Sequence, residues 1–333
     1  MIITRTPYRV SLFGGGTDYP KWYLEHGGAV LGMAINRYCY ISLRQLPPFF
    51  DHRHRIVYSR IENVQEISEI EHPAVRAVFQ EAGVDTGIEL HHDGDLPARA
   101  GLGSSSSFTV GLLNAIHALR GQMVTKHFLA EEAIRIEQKV ICENVGSQDQ
   151  VWAAYGGFNR INFNKDESFV VEPLIVPRER ECELLDHLML FFTGFSRFAV
   201  KIAGDKIANL DRKAEHIHAM RRMVDDAQNL LTTPTADIRE IGRMLDTSWR
   251  LKRDLASSVS TVAIDDIYQA GREAGAIGGK ILGAGGGGFI LFFVEPHKQQ
   301  AVREHLHTLI EVEIGVDRAG SRVVLYEPNG FRH

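Results

Sequence analysis

At 333 residues the chain exceeds the size at which one hydrophobic core usually stops growing, so two domains are expected. A hydrophobic content of 44% supports globular cores, while 24% charged residues and a formal net charge of -5 give no electrostatic footprint for nucleic acid or an anionic membrane, leaving a small-molecule partner as the expectation. Cys39, Cys142 and Cys182 are widely spaced and never form CxxC, which argues against a disulfide framework and a structural zinc site and points to reduced, cytoplasmic thiols.

The segment from Met1 to Val10 has no long apolar core, so neither a signal peptide nor an anchor is read there. The longest apolar runs, such as Phe289 to Val294, are too short to span a bilayer. In the first third, Ile2 to Thr6, Val10 to Phe13, Cys39 to Leu43, Arg55 to Tyr58 and Ile88 to His92 are rich in β-branched residues and read as strands. The first two enclose Pro7, and the second runs into Gly14-Gly-Gly-Thr-Asp-Tyr19. This is no dinucleotide fingerprint, because GxGxxG is absent and no helix of apolar periodicity opens directly after it. Asp18 suits a polyol, whose hydroxyls it can accept while adjacent rings pack on C–H faces; by itself it also fits a turn residue capping its own backbone. Asp51-His-Arg-His-Arg55 offers arginine forks for a phosphate, or a solvated strand edge.

Pro97-Ala-Arg-Ala-Gly-Leu-Gly-Ser-Ser-Ser-Ser107 is a glycine and serine loop running into Phe108 to Leu119, whose apolar residues recur at helical spacing. Glycines flanking Leu102 allow a tight turn, and serines stand where a helix begins and its amides lack partners. The loop reads as a phosphate cradle at the positive end of a helix dipole, or as an ordinary capped helix. A second helix is expected over Lys126 to Glu143, and a returning strand over Phe158 to Phe163. The charged stretch Pro173 to Glu183 is the candidate boundary, giving domains 1–175 and 176–333. Beyond it Leu188 to Thr193 is strand-like. Phe198 to Leu231, Ile238 to Leu255, Ile264 to Gly275 and Pro296 to Glu311 read as helices, and Gly288 to Val294 and Arg322 to Tyr326 as strands. The second half thus reads as α+β, with helices on one face of an antiparallel sheet.

Glu137, on the expected helix, and Asp149, in the loop after it, could divide labour: one holding magnesium through oxygen, the other accepting or orienting a substrate hydroxyl. Farther on, Gly278 to Gly288 holds seven glycines in eleven residues, a density that calls for close backbone approach to a ligand or to another segment.

Taken in order, Pro7 to Tyr19, Pro97 to Ser107 and Lys280 to Phe289 resemble the three motifs of the GHMP kinase superfamily. The resemblance implies an α+β two-domain fold, with an N-terminal ATP-binding domain like domain 2 of ribosomal protein S5 and a ferredoxin-like C-terminal domain. ATP and Mg2+ would lie between them. It implies that Gly101, Leu102, Gly103, Ser104, Ser105, Ser106 and Ser107 line the triphosphate, that Ser105 joins Glu137 at magnesium, and that Asp149 is catalytic with Arg9 beside it. Gly16, Thr17, Asp18, Gly285, Gly286 and Gly287 would meet the substrate; apart from the resemblance, Arg197 after the strand-loop Phe192-Thr-Gly-Phe-Ser196 offers a second arginine fork for a sugar phosphate. Within the superfamily, Leu12-Phe-Gly-Gly-Gly-Thr-Asp, the four serines, and Gly146-Ser-Gln-Asp-Gln before Tyr155-Gly-Gly-Phe resemble bacterial D-glycero-α-D-manno-heptose 7-phosphate 1-kinases of GDP-heptose synthesis. Ser147 stands where those members often carry lysine or tyrosine. The implied activity is phosphorylation of an anomeric hydroxyl. Alternatives are a 1-kinase for an unphosphorylated sugar of the fucose or hexuronic acid type, and a catalytically silent sugar and ATP sensor. The assembly is left open, a homodimer being one option.

Overall fold

The computed structural model describes residues 1–194, 204, 207 and 213–328. Twelve strands among these residues form two sheets. The larger has the order β12-β1-β2-β5-β3-β4, built from β1 (Ile2–Phe13), β2 (Gly28–Gln45), β3 (His54–Val57), β4 (Ile61–Val64), β5 (Ile88–Gly94) and β12 (Arg322–Tyr326). Two further strands, β6 (Phe158–Phe163) and β7 (Phe169–Pro173), extend it from β2. The smaller sheet is antiparallel, in the order β11-β8-β10-β9, from β8 (Leu188–Phe192), β9 (Gly278–Ile281), β10 (Phe289–Phe293) and β11 (Ile310–Val312).

The two short strands expected around Pro7 are one strand. Pro7 has no amide to give the ladder, and the register with β2 slips there, from Pro7↔Tyr38 to Tyr8↔Ile35. The strand therefore continues through the proline as a bulge. Its partner β2 serves β5 with residues 39–45 and β6 with residues 28–33, which places β1 at the centre of the first half.

Helices α1 (Pro20–His26), α2 (Pro73–Glu81), α3 (Ser104–Leu119), α4 (Lys126–Arg135) and α5 (Gln148–Tyr155) belong with this sheet, and α3 and α5 both pack on β1. A helix thus does open soon after the triple glycine, at Pro20, but with seven residues it is too short to show the expected periodicity. The charged boundary segment folds as α6 (Arg178–Asp186), because Arg180 is buried and donates to the carbonyls of Leu230 and Ala236. Next come α7 (Ala214–Thr232), α8 (Arg239–Arg253), α9 (Val262–Glu273) and α10 (Gln299–His305). The last is half the expected length, since the chain after His305 turns into β11.

Both faces of β10 are buried, where one covered face was expected. Phe289, Leu291 and Phe293 enter a core continuous with β1 and β2, while Ile290 and Phe292 point the other way, to Trp249, Ile264 and Tyr268. The halves also interlock through β12, which pairs antiparallel with β1, so residues 176–333 do not all belong with the second sheet.

Candidate active site

The four serines of the glycine and serine loop have four different fates, because successive helical side chains point about 100° apart. Ser104 Oγ accepts from the Arg99 amide at 2.9 Å, and Ser107 Oγ donates to the Pro7 carbonyl at 2.8 Å, tying the loop to β1. Ser105 is exposed at the first turn, and Ser106 turns inward, donating to Glu137 Oε2 at 2.9 Å. Gly103 precedes the helix at φ +76° and supplies no side-chain cap, so the amides of the first turn face outward from a 16-residue helix. That is an anion site by geometry and dipole.

Three consecutive residues at the start of α5 reach three different segments. Gln148 Nε2 donates to Asp18 Oδ2 at 2.8 Å; Asp149 receives Arg9 as a fork, Nε to Oδ1 and Nη2 to Oδ2, each at 2.8 Å; Gln150 Nε2 donates to Glu137 Oε2 at 2.6 Å. Arg9 is buried and also bonds the Gly101 carbonyl, so it joins Asp149 to the loop. A Cβ built on Gly103 would stand 3.3 Å from Asp149 Oδ2. The carboxylate therefore lies directly under the Gly103 turn, with 24% of its side chain exposed. Each of its oxygens uses one lone pair on Arg9 and keeps another for a substrate proton.

Glu137 is buried, and desolvation pushes its carboxyl up to about 7, against hydrogen bonds that favour ionisation. It lies in a π-helical turn, Ile136–Val140, that follows α4 where a continuous helix was expected; such turns are frequent at functional sites. Its Oε1 is buried without a hydrogen bond of full geometry among the described residues, although the nearby Thr109 side chain also favours the charged form. No cluster of three or more acidic, histidine or cysteine side chains able to hold a metal occurs among the described residues. One carboxylate with an under-bonded oxygen beside a serine and an anion site suits magnesium, which takes one or two protein oxygens and completes its shell from phosphates and water. The serine at Glu137 is Ser106, where Ser105 was expected; three positions past Gly103 a side chain faces the protein, and two positions past it faces out.

At the other end of β1, Asp18 is buried, with Oδ1 on the Gly16 amide and Oδ2 on Gln148. Gly146 presses on this carboxylate so closely that a Cβ there would fall 1.9 Å from Oδ2. Thr17, expected at the substrate, is turned into the protein, its hydroxyl on the carbonyls of Gly14 and Ala29, so it closes the turn. Gly285 and Gly286 lie against Val259, whose carbonyl accepts from the Gly286 amide at 2.9 Å, and Gly287 holds φ +143° beside them. The dense glycine cluster meets the glycine and serine loop itself. A Cβ on Gly283 would fall 2.5 Å from Gly101 Cα, and the Phe289 amide donates to the Ala100 carbonyl. Lys280 Nζ donates to the carbonyls of Ser11 and Leu12, and Lys252 Nζ to those of Ile281 and Gly283, which holds both glycine segments in place.

The cationic run at 51–55 is not part of this site. Arg53 bonds the Asp85 carbonyl, Arg55 faces Glu89 at 3.7 Å, and His54 is buried against Phe79 with its pKa lowered by burial. Leu43, opposite Leu90 of β5, is nine residues along β2 from Ala34, the partner of Arg9, or about 30 Å of strand. Arg197 lies outside the described residues. Gln148, Gln150 and Lys280 stood inside quoted motif segments but were given no role of their own, and Lys252 lay outside any motif. The available signal was a Gln-Asp-Gln run set directly against the apolar Val151-Trp-Ala-Ala.

The sequence model described as GHMP kinases N terminal domain matches residues 68–157, and that described as GHMP kinases C terminal matches residues 226–310; together they cover just over half of the chain. The chain is 29% identical over 309 residues to a D-glycero-alpha-D-manno-heptose 7-phosphate kinase of Campylobacter jejuni, covering 90% of this chain and 91% of that one. It is 25% identical to a bifunctional fucokinase/GDP-fucose pyrophosphorylase of Arabidopsis thaliana, over 93% of this chain and 31% of that one. Among solved structures, a D-glycero-D-manno-heptose 1-phosphate kinase from Bacteroides thetaiotaomicron superposes with a TM-score of 0.79 at 23% identity, covering 97% of this chain and 98% of that chain, a likeness of fold. No helix among the described residues is long and apolar enough to cross a membrane.

Proposed function

This chain belongs to the GHMP kinases, and on that footing we propose that it is an ATP-dependent sugar kinase converting D-glycero-α-D-manno-heptose 7-phosphate to the 1,7-bisphosphate. The observation that carries the kinase reading is the Arg9–Asp149 fork beneath the Gly103 turn, 3.3 Å from where a side chain would begin. An acceptor hydroxyl on Asp149 then faces a phosphate held by the α3 amides. The choice of heptose rests on the Campylobacter jejuni relative, aligned over nine-tenths of both chains.

In this reading the first-turn amides of α3 bind the phosphates, and Asp149 accepts the proton as the anomeric oxygen bonds to the terminal phosphorus and ADP leaves. Arg9 fixes both carboxylate oxygens so that no reorganisation is needed during transfer. Glu137 and Ser106 would hold Mg2+, which supplies charge neutralisation between phosphates when bound. The remaining catalysis is positioning.

The test is ADP release with a panel of sugars and sugar phosphates, followed by phosphorus NMR to locate the new phosphate. A heptose 7-phosphate gaining an anomeric phosphate supports the proposal; turnover of fucose alone moves the chain to the reading favoured by its fucokinase relative. In the same assay Asp149→Asn is expected to lower turnover by about 100-fold or more. Equal turnover in both proteins would remove Asp149 from the proton transfer.

A further inference from the structure

Ser11 and Arg9 stand two apart on β1 and so share a face of the strand. Arg9 meets Asp149, while Ser11 is 5% exposed and its Oγ has no hydrogen-bond partner among the described residues. Gln148, the residue before Asp149, is 8% exposed, and its Oε1 is likewise buried and unpartnered. The direction of this amide is decided by its neighbour. The Asp18 carboxylate can only accept, so Nε2 must face it and Oε1 is left as the acceptor. Gly15 separates the two orphans: a Cβ built there would stand 3.7 Å from Ser11 Oγ and 3.8 Å from Gln148 Nε2. The missing side chain leaves room beside Ser11 Oγ and the Nε2 end of the Gln148 amide.

We infer that Ser11 and Gln148 read a ring hydroxyl of the acceptor sugar, and that Asp18 acts through Gln148 as the residue that positions it. This rests on the sugar-kinase reading of the site. A hydroxyl is both donor and acceptor, so it donates to Gln148 Oε1 while exchanging a hydrogen bond with Ser11 Oγ. Leaving either atom unmatched in a buried site is unfavourable, which is how such a pair rejects an analogue lacking the hydroxyl. Gly16 and Gln148 each take one lone pair of the Asp18 carboxylate, one on each oxygen, which fixes the carboxylate in place to orient the Gln148 amide.

The experiment compares wild type, Ser11→Ala and Gln148→Met on the sugar that the wild type phosphorylates and on its deoxy analogues, one hydroxyl removed at a time. For the intact sugar, each variant is expected to raise KM by roughly three- to tenfold with the KM for ATP unchanged. One deoxy analogue should be poor for the wild type and no poorer for Ser11→Ala than the intact sugar is, because a lost hydroxyl and a lost partner are the same loss. Ser11→Ala keeps the test intact if Gln148→Met unfolds. A wild type that phosphorylates a sugar, with variants whose sugar KM and deoxy discrimination are unchanged, overturns this inference alone. A wild type that phosphorylates no sugar overturns the sugar-kinase reading and this assignment with it.

Discussion

Glu137 is the residue whose chemistry depends most on its surroundings. In the fold its carboxyl titrates at about 7, against an ordinary 4.5, because burial penalises the charge. The folded protein therefore holds this proton over a range in which the unfolded chain has released it, so the residue lowers the stability of the metal-free protein progressively from pH 4.5 to 7 and fully above that. Glu137→Gln should raise the melting temperature of chelator-treated protein at pH 8 and leave it nearly unchanged at pH 4.5, a contrast read by thermal unfolding at the two pH values. On the proposed magnesium role of Glu137, the same proton would compete with the cation. Magnesium affinity measured by calorimetry should rise with pH up to about 7, level off above it, and lose this dependence in the glutamine variant. Glu137 and Asp149 were both legible as carboxylates worth watching; burial, which makes one a weak acid, was not.

Among the elements, the first turn of α5 and the glycine cluster show how local pattern and tertiary contact divide the work. Gln148, Asp149 and Gln150 are adjacent in sequence, yet helical geometry sends them to Asp18, Arg9 and Glu137, linking three distant segments of the chain through one turn. In the cluster, Gly283 holds φ +68° with its α-carbon against Gly101. Gly283→Ala combines backbone strain with a steric clash and should cost about 2–4 kcal/mol, seen as a lower urea midpoint, and should also displace the phosphate loop and raise the KM for ATP. The density of glycine was readable as close approach. That the approaching segment is the phosphate loop, 182 residues earlier in the chain, was not.

Among the described residues the halves are joined by β12 returning to β1, by the shared core, by the Phe289 amide on the Ala100 carbonyl, and by Lys280 of the second sheet donating to the Ser11 and Leu12 carbonyls of the first. Lys280→Met keeps the bulk but removes the donor, leaving two buried carbonyls short of a partner. We expect a loss of about 2–3 kcal/mol in urea unfolding, with one cooperative transition retained because a single core spans both sheets. Sequence alone pointed to the glycine turns, the helix opening after the four serines, the strand character around Cys39 to Leu43, Arg55 to Tyr58 and Ile88 to His92, and the two carboxylates Glu137 and Asp149 as candidates. These follow from period, turn chemistry and side-chain type, which act over a few residues. Only the tertiary structure decided that Ser106 meets Glu137, that Thr17 closes a turn, that the cationic run at 51–55 lies far along the sheet, and that Ser11 and Gln148 converge beside Gly15. Each of these is a meeting of distant segments, set by how helices seat on β1 and how one sheet packs on the other, and packing of that kind leaves no period in the sequence.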